Sequence, residues 1–223
     1  MSEIGFLSND LRKLIDNNFQ ELSTIEGNIL GAGQDINIKT IYVTSCSPKE
    51  GKSVVAVSMA YALAEEALAK VLLIDGNFSS PSIHNTFSVN ISPGLTDIFR
   101  EDDIKDLLPM DTEIKNLKII PNGEPLSKTF NIFRNKTFVE IFNTWKQRFD
   151  YIIFDGNSML GSLDTFIIAK NFDGIILVVE CERTKWEVVQ VAKEKIAKVK
   201  GNILGVVLNK RKFYIPKIFN RLI

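Results

Sequence analysis

The chain has 223 residues, 45% of them hydrophobic, which is enough for one substantial core within a single domain spanning 1–223. Its 27 basic residues balance 27 acidic ones, which argues against a nucleic-acid partner held by bulk electrostatics. No signal-like apolar stretch opens the sequence, and the longest apolar run, 175–179, is far below the roughly 20 residues that span a bilayer; a cytoplasmic protein is expected, with peripheral attachment at the inner face of the cell membrane left open.

Residues 1–38 read as one or two helices, because Leu11, Leu14, Ile15 and Phe19 form an apolar stripe at helical spacing, and Gly31 and Gly33 break the pattern. A β-branched strand follows at 39–45. It ends in Cys46, Ser47, Pro48, Lys49, Glu50, Gly51, Lys52 and Ser53, and a helix rich in Ala, Val, Met and Leu runs over 53–69. A triphosphate needs backbone N–H groups converging at a helix N-terminus, an ammonium at the β and γ oxygens, and a hydroxyl on Mg²⁺. Gly51, Lys52 and Ser53 supply those parts, with Ser47, Pro48, Lys49, Glu50 and Val54 beside them. Cys46 stands where the full phosphate-loop pattern places its first glycine. It reads as a small residue filling the turn, the alternative being a redox-sensitive thiol; with Cys181 it makes two reduced cysteines.

The strand 71–75 ends in Asp75. The stretch 78–116 is polar and turn-rich, with Pro81, Pro93 and Gly94, and is expected near the mouth of a site. His84, the lone histidine, reads as an incidental loop residue, and no cluster suggests zinc. A strand at 117–121 precedes a second exposed loop, 122–134, marked by Asn122, Gly123 and Pro125. The strand 151–155 ends in Asp155. Either aspartate alone reads as a turn cap; together, beside a phosphate loop, they read as carboxylates brought to one sheet edge near Mg²⁺, with Asp75 a candidate base. Asn77 is an amide that could contact a metal-bound water but cannot act as a base.

Strands 174–180 and 203–208 complete the set, nearly continuously apolar as in a sheet covered on both faces. Between them Thr184 and Glu187 have the spacing of a capping box opening a helix, and Lys193, Lys195, Lys198 and Lys200 form its solvated face. Asn209 ends the last strand, where an amide could read an adenine edge or serve a turn. The 210–223 segment mixes cations with Phe213, Ile218, Phe219, Leu222 and Ile223, as either a docked final helix or a short amphipathic anchor. The alternation of strands and helices predicts an α/β fold of three layers, with a mainly parallel twisted sheet between helices.

The order of these motifs resembles the cytoplasmic kinase domain of bacterial tyrosine kinases that control capsule and exopolysaccharide assembly, a branch of the P-loop ATPases related to the cell-division and plasmid-partition ATPases. The residues that carry it are Thr44, Ser45, Pro48, Glu50, Gly51, Lys52 and Ser53; Val71–Asp75 with Pro81 and His84; Pro93, Gly94, Leu95, Thr96 and Asp97; Tyr151–Asp155; Asp173, Gly174 and Val178; and Gly205 through Asn209. Ser47 replaces the signature lysine of the partition branch. The resemblance implies the P-loop NTPase type of fold and ATP or ADP with Mg²⁺, with Lys52 and Asp75 catalytic, Ser53, Asp75 and Asp155 on the metal, and Ser47, Pro48, Lys49, Glu50, Gly51, Lys52, Ser53, Val54 and Asn209 on the nucleotide. It also implies a membrane polysaccharide co-polymerase or activator as partner, and a homo-oligomer.

The chain departs from that family at several places. Asn77 replaces the second carboxylate of Asp-x-Asp, Lys49 replaces a loop glycine, and Asp155, Gly156, Asn157 and Ser158 stand for Asp-Thr-Pro-Pro. Only Asn9, Arg12 and Ile15 remain of the ring-assembly pattern, and Tyr214 stands alone where tyrosines cluster. Two further readings therefore stay open: a degenerate scaffold docking on the co-polymerase, and a nucleotide-switched membrane-associated ATPase.

Overall fold

Strands that are apolar on both faces must be covered on both sides, and this dictates the architecture. The computed structural model describes residues 4–18, 24, 27, 31, 38–99, 107–125, 132–161 and 163–212. β1 (Ile4–Gly5), β2 (Thr40–Ser45), β3 (Val71–Asp75), β4 (Met110–Thr112), β5 (Leu117–Ile120), β6 (Tyr151–Asp155), β7 (Gly174–Glu180) and β8 (Ile203–Asn209) form an eight-stranded sheet in the order β1-β4-β5-β3-β6-β2-β7-β8. The pairings are parallel except between β4 and β5. This is the expected α/β fold.

The helices are α1 (Asn9–Asn17), α2 (Lys52–Glu65), α3 (Ile83–Thr86), α4 (Lys136–Arg148), α5 (Leu163–Ala169) and α6 (Trp186–Lys198). Alternation along the central strands sorts the core into two layers. Ile41, Val43, Leu73 and Ile153 meet Val55, Ala56, Met59, Ala60 and Leu63 of α2. Their neighbours Tyr42, Leu72, Ile74, Ile152 and Phe154 meet Phe138, Phe142 and Trp145 of α4, with Phe166 and Phe172. The alanines of α2 let that helix lie close to the sheet, and the aromatic layer fills the other side, with Tyr42 stacked on Phe154 at 5.6 Å between ring centres. Each fully buried aliphatic side chain contributes about 1.5–3 kcal/mol, so Leu73→Ala would cost about 2–5 kcal/mol.

Several elements differ from the sequence pattern. β1 and β4 were not expected, being only 2 and 3 residues long, too short for a period-2 signal. The helix expected over 53–69 ends at Glu65, and Leu68 beyond it takes a left-handed conformation (φ 52°). Within 78–116 lie α3, a 3₁₀ turn at Leu95–Phe99, and β4, and Ile83, Phe87 and Leu95 are fully buried, so this stretch lies under the site rim as well as around it. Asn122 and Gly123, expected in an exposed loop, are buried. Gly31 is helical rather than a break, since one glycine costs a helix only about 1 kcal/mol. Phe19, Gly33 and the 213–223 part of the tail, Tyr214 included, lie outside the described residues.

The capping box also does not form. α6 starts one residue late, with Lys185 at the N-cap and no side-chain cap bond. The Thr184 hydroxyl instead donates to Glu50 Oε1. Lys193, Lys198 and Lys200 are exposed as expected, while Lys195 is half-buried, its ammonium 5.6 Å from the Phe166 ring centre.

Candidate active site

The C-terminal ends of β2, β3 and β6 converge because β6 pairs with both neighbours, placing Asp155 opposite Val43 on one side and Asp75 on the other. From β2 the chain turns through 46–51 and enters α2, whose first N–H groups have no partner within the helix. Gly51 makes that entry at φ 91°, and a Cβ there would lie 2.1 Å from Asn209 Nδ2; glycine is required both for the angle and for the space. Lys49 is also left-handed, at φ 68°.

Lys52 opens α2 almost fully buried, its ammonium 3.7 Å from Asp155 Oδ1 and within 3.4 Å of Ser53 Oγ. Asp155 is wholly buried, and neither carboxylate oxygen has a hydrogen-bond partner. Burial pushes its pKa up to about 7; Lys52 opposes that rise and Asp75 adds to it. Asp75 is equally buried but differently surrounded: Oδ1 accepts from Asn77 N at 3.1 Å, and Oδ2 accepts from Ser82 N and Ile83 N, each at 2.9 Å. Burial still raises its pKa, against the pull of those N–H groups and Lys52. As arranged, Asp75 orders the loop leading into α3.

The neighbouring amides are also committed. Asn77 Nδ2 donates to Ser80 O at 2.6 Å, which closes the loop on itself. Asn209 Nδ2 donates to Glu50 O at 2.9 Å, so that in this structure the amide holds the phosphate loop. Two further asparagines, read from the sequence only as a turn marker and as part of a family departure, tie the loops together. Asn157 Oδ1 accepts from Ser79 N (3.2 Å) while its carbonyl accepts from Thr44 Oγ1 (2.7 Å), and Asn122 Nδ2 donates to Asp75 O (2.9 Å). Their partners lie 47 to 113 residues away, beyond any local signal.

Ser47 is half-exposed, Pro48 and Lys49 form the exposed tip of the loop, and Val54 is 37% exposed on the first turn of α2. A cleft of about 900 Å³ lies beside Val54, lined among others by Gly51, Ser58, Leu208, Asn209 and Lys210. Cys46 is fully buried, and burial pushes its thiol up to about 12, which makes it an inert packing group. His84, in α3, is held neutral by burial, its Nδ1 without a hydrogen-bond partner. No three His, Cys, Asp or Glu side chains gather as a cation cage among the described residues. A divalent cation here would thus take Asp155 and Ser53 together with ligand oxygens.

A model of the AAA domain family matches residues 38–208. The tyrosine-protein kinase CpsD of Streptococcus agalactiae serotype III (strain NEM316) is 32% identical over 190 residues, covering 84% of this chain and 80% of that protein. The chain belongs to the bacterial tyrosine-kinase branch of the P-loop ATPases. Another family member, the tyrosine-protein kinase YwqD of Bacillus subtilis (strain 168), is 29% identical over 195 residues, 87% of this chain and 82% of that one. The crystal structure of the chimerical protein CapA2B2 shares the fold, with a TM-score of 0.83 over 95% of this chain and 96% of its own at 24% identity. The phosphate loop, the two strand-end aspartates and the buried 94–97 segment lie within the region that the family model matches. Among the described residues no helix is long and apolar enough to cross a membrane.

Proposed function

We propose that this protein binds Mg-ATP and Mg-ADP and acts as a tyrosine-kinase-like regulator of capsule or exopolysaccharide synthesis and export, docked on a membrane polysaccharide co-polymerase at the inner face of the cell membrane. Asp155 carries the nucleotide part of this reading. A carboxylate withdrawn from water with neither oxygen hydrogen-bonded is costly unless positive charge compensates it; Lys52, 3.7 Å from Oδ1, supplies one such charge, and Oδ2 remains for a second cation.

The residues fit Mg²⁺ with a nucleotide. Asp155 and the Ser53 hydroxyl would hold the ion, which supplies neutralisation of charge on the β- and γ-phosphates when bound. Lys52 would pair with the same oxygens, the N–H groups of 49–53 would cradle them, and Asn209 would stand beside the base. The low-dielectric surroundings of Lys52 and Asp155 make each charge act more strongly than it would in water.

The geometry of Asp75 favours a second reading for catalysis. Serving as base or metal ligand requires it to give up contacts with Asn77, Ser82 or Ile83, and Asn77 offers no carboxylate in their place. On that reading the chain binds nucleotide as a scaffold and transfers no phosphate to tyrosine. Self-association belongs to the proposal as well; Arg12, from the family's assembly pattern, pairs with Glu113 of its own chain at 2.5 Å. The switched-ATPase reading rests on the tail, most of which lies outside the described residues.

The test is calorimetric titration of Mg-ATP and Mg-ADP into wild type and Lys52→Ala, then phosphotyrosine and phosphate-release assays on the same samples. Binding that Lys52→Ala weakens at least about a hundredfold is expected, about 2.7 kcal/mol or more. Phosphotyrosine formation selects the kinase, and binding without turnover selects the scaffold. A wild type that binds neither nucleotide sinks the reading.

A further inference from the structure

Glu50 is tied both within the phosphate loop and to two distant parts of the chain, the β7–α6 connection and the end of β8. Its side chain is fully buried. Oε2 accepts from Ser47 N at 3.1 Å, across the turn that begins the loop, and Oε1 accepts from the Thr184 hydroxyl. The adjoining carbonyls are held from the end of β8: Glu50 O by Asn209 Nδ2 at 2.9 Å, and Lys49 O by Lys210 Nζ at 2.6 Å.

These holding groups are themselves anchored together. Thr184 N donates to Glu180 O at 3.1 Å, and Glu180 Oε2 takes both Lys210 Nζ, at 3.0 Å, and Arg183, at 2.9 Å. The β7–α6 connection and the end of β8 thus form one clasp around residues 49 and 50. Thr184 also has no capping duty, since α6 begins after Lys185 without a side-chain cap.

We propose that Thr184 is a positioning residue for phosphate binding, acting through Glu50 on the shape of the loop; this rests on the nucleotide-binding reading above. A buried carboxylate must have its lone pairs matched. Without the hydroxyl, Oε1 has no partner, and the carboxylate gains one only by turning toward water. That movement frees Ser47 N–H and lets the turn at 47–50 relax. The N–H groups at the end of that turn are the ones that would receive β-phosphate oxygens, so the loss falls on nucleotides in proportion to the phosphates they place there.

The test compares wild type, Thr184→Val, Thr184→Ser and Glu50→Gln by calorimetry with Mg-ADP and with AMP, alongside thermal melts. Thr184→Val keeps the shape of threonine without its hydroxyl and is expected to weaken Mg-ADP about tenfold, as for a lost hydrogen bond to a buried charge, and AMP by less than about threefold. Thr184→Ser should stay within about twofold of wild type, and Glu50→Gln should weaken Mg-ADP more than AMP. If Thr184→Val does not fold, Thr184→Ser and Glu50→Gln carry the same comparison. Unchanged Mg-ADP affinity in Thr184→Val or Glu50→Gln, equal losses for Mg-ADP and AMP, or a serine variant as weak as the valine one would each overturn the inference. A wild type that binds no Mg-ADP overturns the nucleotide reading and this inference with it, whereas wild-type binding with an unaffected Thr184→Val overturns this inference alone.

Discussion

Asp75 and Asp155 stand opposite each other across β3 and β6, both without solvent exposure, and the backbone treats them in opposite ways. Three N–H groups converge on Asp75, and none reaches Asp155. One carboxylate is built into the scaffold by its backbone partners. The other faces the Lys52 ammonium, 3.7 Å from Oδ1.

The buried Asp155 carboxylate makes stability depend on pH. The folded-state pKa of Asp155, about 7, lies above its ordinary value of 3.8, so between those values the folded protein holds a proton that the unfolded chain has lost. Stability of the nucleotide-free protein should therefore fall as pH rises through this window and level off above 7. Urea melts from pH 5 to pH 8 should show the decline, with Asp155→Asn flattening it by about 2–4 kcal/mol over the range. An equal slope in both proteins would assign the dependence to other groups.

On the proposed reading, the same ionisation governs Mg²⁺ binding. A carboxylate must lose its proton to hold a divalent cation, so the Mg²⁺-dependent gain in ADP affinity should drop about tenfold per pH unit below 7 and stay level above it. Titrations with and without Mg²⁺ at pH 6, 7 and 8 measure this gain. A gain that ignores pH would place the cation away from Asp155.

Lys49 holds a left-handed backbone that costs a residue with a Cβ about 1–2 kcal/mol. Lys49→Gly removes the penalty but enlarges the freedom of the unfolded chain. A net stabilisation of about 0.5–1 kcal/mol is expected, read from the midpoint of a denaturant melt. A loss of stability would show that the Lys49 side chain contributes more than its backbone costs.

Asp173 closes the start of β2 onto β7. Its Oδ2 accepts from Lys39 N at 3.0 Å and from Thr40 N and Thr40 Oγ1 at 2.8 Å each. Asp173→Ala should cost about 2–3 kcal/mol while leaving nucleotide affinity unchanged, because the phosphate loop leaves the opposite end of β2. Paired denaturation and calorimetry would show whether the two effects separate.

At the rim of the site Gly94 packs directly on another backbone. A Cβ there would lie 2.2 Å from Gly123 N and 2.6 Å from Pro121 O, and neither can step aside as a side-chain tip could. Gly94→Ala should destabilise by about 3 kcal/mol or more, seen as a lowered melting temperature. A wild-type melt would mean that the 121–123 segment shifts freely.

The fold was legible where a pattern repeats over enough residues to be seen. The long strands ending in Ser45, Asp75 and Asp155 and the Ala-rich helix after Gly51 all announce themselves through side-chain period and turn chemistry. Asn122 and Gly123 read locally as an exposed turn, yet the turn is buried because Asn122 reaches Asp75 O and Gly94 packs on Gly123. Thr184 reads locally as half of a capping box, yet its hydroxyl goes to a carboxylate 134 residues away. A spacing rule sees only neighbours in the chain.

By itself, then, the sequence determined the strand and helix periods, the phosphate loop at 46–53 and the family, because these depend on residues close together in the chain. Which aspartate gathers backbone N–H groups and which faces only Lys52, and what grips the loop through Glu50, was decided only by the tertiary structure. Those outcomes depend on backbone N–H groups and side chains brought together by the sheet, in a buried setting where a missing partner costs several kcal/mol.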